Sequence, residues 1–264
     1  MQRVRLERRG NIMEVILNRP DKMNAFDLDM FYELDKVRKS IHANRSLRAV
    51  VISGSGKNFS SGLDVKKVMG DRSSMFKLLW KWLPFQLNLA QRICVAWRRI
   101  PIPVIAAING KCWGAGMQLA LGCDYRLADP ESSFSIMEAR WGLIPDMGGS
   151  LALREIMPLD KAMQLTMLAE PIDSERALSE GLITEVVDKP VAAAMELASQ
   201  LEARSPDAIA GIKKLYHLVW HSNDRALIAR ESFYQWRMIF GKNLKIAAEQ
   251  QRGKAKPFKV RGWW

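Results

Sequence analysis

Short runs of branched apolar residues alternate with longer amphipathic stretches along this chain. Val4 and Leu6, then Ile12, Val15 and Leu17, alternate with polar neighbours on either side of an Arg-Arg-Gly-Asn turn and predict two strands. RAVVIS (48–53) and PVIAAI (103–108) are dense apolar runs and predict buried strands. CDYRLA and SFSIM predict shorter ones, and TEVV (184–187) one more. Between them, the turn-rich NRPDKMNAF precedes a helix over about 28–42, with Asp27 as its N-cap. NGKCWGAG turns the 103–108 strand into a helix carrying Met117–Leu121. Residues 73–99, broken by Pro84, predict two helical pieces apolar on more than one face. Their aromatic residues (Phe76, Trp80, Trp82, Phe85, Trp97) suit either a core or the wall of an apolar ligand pocket.

Strands alternating with helices over the first two-thirds indicate an α/β fold. From about residue 148 helices dominate, and the last sixty residues read as all-helical, with periodic Ile212, Leu215, Leu218, Val219, Phe233, Trp236 and Ile239. The change of character divides the chain into a core over 1–200 and a helical region over 201–264.

At 264 residues and 48% hydrophobic, the chain can bury a sizeable core without disulfides or metals. Its three cysteines, Cys94, Cys112 and Cys123, include no C-x-x-C pair, which points to a reducing, cytoplasmic setting and away from a zinc site. No run of eighteen apolar residues occurs, so no membrane partner is expected. The formal charge of +12 attracts any polyanion and selects none.

Two motifs fail on inspection. GSGK (54–57) has Val51 where a P-loop needs glycine, and Asn58 where it needs Ser or Thr. His217 and His221 stand at i, i+4, but HLVWH lacks the glutamate of a zinc helix, and both are expected as surface or packing residues. No metal site is expected.

What survives is a set of three segments. SSGLD (60–64) and WGAGMQ (113–118) each follow a strand with small-residue turns, where a ligand approaches the backbone. The N–H groups of Leu63 and Ala115, at turns into helices, are candidates to hold an oxygen that gains negative charge, an oxyanion hole. SIMEARWGLIPDMGG (135–149) sets Glu138 and Asp146 among apolar neighbours, which favours protonation and a proton-exchange role. Ordinary glycine turns and a helix-capping Asp146 are the plain alternatives.

GSGKNFSSGLDV, INGKCWGAGMQLALGCDYRLA and FSIMEARWGLIPDMGG, with NRPDKMNAF before them, resemble the ordered motifs of the crotonase (enoyl-CoA hydratase/isomerase) superfamily over nearly the whole chain. The resemblance implies a spiral of repeated β-β-α turns with a C-terminal helical trimerisation region, assembled as a homotrimer or dimer of trimers. It implies an acyl-CoA thioester substrate, no cofactor beyond the coenzyme A of that substrate, and an oxyanion hole at Leu63 and Ala115. Ala25, Ser61, Gly62, Asp64 and Gly114 fall in the matching motifs as substrate contacts, and Lys57 and Lys66 are candidates for the CoA phosphates.

Family hydratases use two glutamates; one matches Glu138, but Gln118 stands at the other position and cannot exchange a proton. Asp146 matches an aspartate that dienoyl-CoA isomerases pair with that glutamate, although those enzymes carry a further aspartate where Gln118 stands. A double-bond shift, with Glu138 as base, Asp146 as second proton carrier and Gln118 as neutral ligand, fits the residues best. Hydration of a 2-trans-enoyl-CoA is the alternative. From another class, the basic tail RGKAKPFKVRGWW (252–264) and the net charge suit an RNA-binding crotonase homologue, unless the tail packs on a neighbouring subunit or helps to bind CoA.

Overall fold

A computed structural model describes residues 2–262 and 264; Met1, and Trp263 of the basic tail, lie outside the described residues. Among the described residues nine strands form two sheets. The larger runs β1(Val4–Arg9), β2(Ile12–Leu17), β3(Ala49–Gly54), β4(Val104–Ile108), β6(Tyr125–Ala128), β9(Glu185–Val186) in that order; the smaller joins β5(Lys111–Trp113), β7(Ser133–Ser135) and β8(Ile172–Asp173). β1 pairs antiparallel with β2, Arg9 facing Ile12, and from β2 onward the larger sheet is parallel, with Val15 opposite Ile52 and Ile52 opposite Ala106. Successive chain segments place one strand in each sheet before a helix follows: β4, β5 and α5(Ala115–Leu121), then β6, β7 and a 3-10 turn (Glu138–Trp141). This is the β-β-α spiral expected.

The apolar runs are dense because β3 and β4 are buried on both faces. Val50, Ile52, Val104 and Ala106 face the main core, while Ala49, Val51, Ile105 and Ala107 face α9(Pro190–Glu202) through Ala194 and Ala198. The expected boundary at 200/201 therefore falls inside the last turn of a helix that packs on the sheet. α1(Leu28–Ala43) begins as expected, the Asp27 side chain accepting from Met30 N–H. NGKCWGAG is not a simple turn, since Lys111–Trp113 pairs as β5; the short β8 also lay below any periodic signal.

The 73–99 segment forms the two helical pieces expected, broken around Pro84. α2(Val65–Met69), α3(Arg72–Leu79) and α4(Leu89–Arg98) enclose a non-helical bridge around Pro84. Trp97 is core, whereas Phe76, Trp80, Trp82 and Phe85 face solvent. Three further helices, α6(Gly149–Ile156), α7(Leu159–Leu168) and α8(Ser174–Ser179), lead to α9. Beyond it, α10(Pro206–Val219), α11(Asp224–Ile239) and α12(Lys242–Gln251) confirm the helical end. Lys213 of α10 is buried and donates to the carbonyls of Trp97 and Ile102, while Asp124 accepts from it at 2.7 Å. His217 meets the other oxygen of Asp124 at 2.8 Å and His221 is exposed, so both are packing or surface residues.

The basic tail packs on its own chain. Arg261 is fully buried, and its guanidinium donates to the carbonyls of His42, Asn44, Arg45 and Leu47 at the end of α1. Gly262 N–H reaches Asp207, Lys259 N–H reaches Asn243, and Trp264 lies edge-on to Tyr234. A buried guanidinium whose Nη groups are spent on carbonyls is not offered to phosphates, so Arg261 contributes nothing to a nucleic-acid surface.

Candidate active site

The parallel strands set the site at one end of the spiral. The chain leaves the carboxyl ends of β3, β5 and β7 through residues 55–64, 113–115 and 136–147, and stacked turns bring these segments together. Phe26 bridges Leu63 and Ser60 bridges Cys112, tying the first segment to its neighbours. Asn24 fastens it from outside, its amide donating to the carbonyls of Ser55 and Asn58.

Gly62 and Gly114 both lie at positive φ, +96° and +48°, where a side chain is strained. A Cβ on Gly62 would stand 2.9 Å from the Trp113 carbonyl and 3.5 Å from Ala115 N; a Cβ on Gly114 would stand 3.7 Å from Gly62 Cα. The two turns thus approach at backbone contact, Gly62 lying against the Trp113–Ala115 stretch. Among the described residues neither the Leu63 nor the Ala115 N–H has an acceptor. Ala115 is the first residue of α5, where an amide carries partial positive charge and no intrahelical partner.

Leu63 and Ala115 both line a cleft of ≈ 370 Å³ whose walls include Phe31, Met75, Leu78, Trp113 and Trp141, with Glu138 and Asp146 as its carboxylates. Glu138 Oε1 accepts from Gln118 Nε2 at 2.6 Å, while its Oε2 is buried with no partner among the described residues. Gln118 is fully buried, its own carbonyl accepting from the N–H groups of Met147 at 3.0 Å and Gly149 at 3.3 Å. An amide held at both ends orients the glutamate without offering a proton. Burial raises the Glu138 carboxyl above its ordinary range, and the nearby Asp146 charge adds to this, while the Gln118 bond opposes it. Asp146 is reached by solvent through the cleft mouth, yet its apolar surroundings also raise its pKa. It does not cap α6, whose N-cap is Gly148 with no side-chain bond.

A basic groove of ≈ 760 Å³ adjoins the cleft, sharing Leu63, Val65 and Trp141, and includes Ala25, Asp64, Lys22, Lys66 and Lys67. Lys67 is committed to Asp27 at 2.8 Å, whereas Lys22 and Lys66 have no ion-pair partner among the described residues. Asp64 is engaged by Arg19 at 2.8 Å and caps α2 through Lys67 N–H, a bracing role. Ser61 lines the cleft. Lys57 is exposed and lines neither cavity. Sequence reasoning missed Lys22, Met75 and Trp141. Lys22 was legible as a base in the NRPDKMNAF motif; the other two are ordinary apolar residues until the fold gathers them.

A family model described as enoyl-CoA hydratase/isomerase matches residues 7–247. Carnitinyl-CoA dehydratase of Shigella flexneri is 34% identical over 217 residues, 80% of this chain and 78% of that protein. The mitochondrial Delta(3,5)-Delta(2,4)-dienoyl-CoA isomerase of Rattus norvegicus is 33% identical over 227 residues, 82% of this chain and 69% of that protein. Among solved structures, an enoyl-CoA hydratase from Polaromonas sp. JS666 superposes with a TM-score of 0.85 at 27% identity, covering 96% of this chain and 98% of that one.

Proposed function

Since the chain belongs to the enoyl-CoA hydratase/isomerase family, we propose that it shifts a double bond within an enoyl- or dienoyl-CoA thioester. The thioester carbonyl is received by the Leu63 and Ala115 amides. Glu138 removes a proton from the carbon next to that carbonyl, and the electron pair moves onto the oxygen, which the amides hold as an enolate. Asp146 then returns a proton at the far end of the conjugated system as the pair flows back, so the mass is unchanged and the double bond has moved. Each hole donor contributes on the order of 10²–10³ in rate and a positioned acid or base about 10²–10⁴. Lys22 and Lys66 of the groove are the contacts we assign to the CoA phosphates. No cofactor is needed beyond the CoA of the substrate, because every step is a proton transfer.

One observation carries this reading. The position beside Glu138 is filled by an amide with both ends bonded, so the other proton-exchanging group in the same cleft is Asp146. The experiment is Glu138→Gln beside Asp146→Asn, in deuterated water. Asp146→Asn should keep exchange of the proton next to the carbonyl while the shift is lost, and Glu138→Gln should lose both. Shift at the wild-type rate in Asp146→Asn contradicts the assignment. A second reading, addition or loss of water, is favoured by the dehydratase relatives and gives Glu138 as sole acid–base. We further propose a homotrimer or dimer of trimers, supported by the exposed Ile212, Leu218, Phe233 and Trp236 of α10 and α11, and a cytoplasmic setting, supported by three buried free thiols.

A further inference from the structure

The bridge between α3 and α4 has no role in the site just described, yet it carries the most exposed aromatic residues of the cleft end. Trp82 is 83% exposed and Phe85 97% exposed, with Trp80, Leu83 and Phe76 also solvent-facing. The rings gather, Phe76 lying 4.8 Å from Trp80 and Trp80 6.2 Å from Trp82. Large apolar residues left in water as a group mark a contact surface. This one is continuous with the cleft: Leu79 and Met69, on the same segment, line the acyl cavity, and exposed Trp141 and Ile144 line it on the other side.

Charge narrows the occupant. Lys77 and Lys81 alternate with the aromatics, and no acidic residue occurs between Asp71 and Asp124. A second copy meeting this face about a two-fold axis would set those lysines against each other with no acid in the segment to offset them. Single-stranded nucleic acid would use the rings, but aliphatic Leu83, Leu79 and Ile144 give bases nothing to stack on. Tryptophan and phenylalanine interleaved with lysine match the interface of an anionic bilayer, where rings sit at headgroup depth and lysines meet lipid charge.

We propose that residues 76–85, the end of α3 and the bridge that follows it, form a peripheral anchor that seats the cleft mouth against an anionic lipid surface. No helix among the described residues is long and apolar enough to cross a membrane, and none is required for a contact of this depth. The expectation of no membrane partner rested on spans alone, and this proposal replaces it. It stands on the exposed surface and does not depend on which reaction the cleft performs.

The test is co-sedimentation of the full chain with vesicles of phosphatidylcholine alone and of phosphatidylcholine mixed with phosphatidylglycerol. The wild type should bind the anionic vesicles and not the neutral ones. Trp82→Ala with Phe85→Ala should weaken binding about tenfold or more, and Lys77→Gln with Lys81→Gln about fivefold per lysine. None of these residues lines the cleft, so turnover of a short-chain thioester should be unchanged, which also shows the variants are folded. Equal binding by wild type and variants, or none to either vesicle, overturns the proposal. So does self-association, or retention of single-stranded RNA, that the same variants abolish in the absence of vesicle binding.

Discussion

Replacing Gln118 with leucine isolates the feature on which the reaction turns. The substitution keeps the volume but removes three hydrogen bonds: the donor to Glu138 and the acceptor for the Met147 and Gly149 N–H groups. Each buried N–H left unpaired costs about 1–3 kcal/mol, so stability should fall by roughly 2–5 kcal/mol, the longer Gly149 bond contributing less. The lost bond to Glu138 has a separate signature. It favours the carboxylate over the acid, against the burial that raises the Glu138 pKa. Without it Glu138 holds its proton to higher pH, and a base must be ionised to act. The acid limb of kcat/KM should therefore move upward in pH, with turnover lowered on the acid side and partly recovered at alkaline pH. The assay is a pH–rate profile of wild type and variant, with thermal unfolding recorded in parallel. A variant that loses stability but keeps the wild-type acid limb would show that Gln118 is packing only, and that Glu138 is tuned by something else.

Gly62→Ala should reduce turnover by 10²-fold or more with little change in overall fold, because its Cβ would stand 2.9 Å from the Trp113 carbonyl at a φ of +96°, so the turn that carries the Leu63 amide must shift; steady-state kinetics and circular dichroism separate the two. Glu138 has its pKa raised by burial, so the folded state keeps a proton that the unfolded chain has lost, and wild-type stability should fall as pH rises through and above the ordinary carboxylate range. Glu138→Gln should flatten that fall and be the more stable protein at neutral pH, measured by urea unfolding across the window; the reverse order would refute the assignment of a strained carboxylate. Arg261→Ala should cost about 2–4 kcal/mol, roughly 5–15 °C in Tm, by stranding carbonyls at the end of α1, with the site's kinetics unchanged once folded.

Much of this architecture is legible in the residues, for identifiable reasons. β3 and β4 are packed on both faces, so their apolar runs are unmistakable, and the Asp27 cap is a local signal for α1. β5 and β8 are too short for periodicity to show, and the pairing that makes them strands is with distant partners. The aromatic segment misleads because apolar content says nothing about direction: Trp97 turns inward, while Trp82 and Phe85, around Pro84, turn out. At the site, the glycine turns and both carboxylates can be read from local pattern. What joins them cannot, since the Gln118–Glu138 bond spans twenty residues and the Gln118–Met147 bond twenty-nine. Composition leaves the basic tail open between a polyanion surface, a CoA contact and packing on a neighbouring subunit, whereas Arg261 satisfies carbonyls of its own chain more than two hundred residues away.

The central claim, a proton shift rather than an addition of water, is tested most directly by incubating the wild-type protein with 2-trans-enoyl-, 3-enoyl- and 3,5-dienoyl-CoA and resolving products by mass and ultraviolet absorbance. Products of unchanged mass with a displaced double bond are expected from the 3-enoyl or 3,5-dienoyl thioester. A product heavier by one water from the 2-trans-enoyl thioester, with neither of the others converted, would contradict that claim.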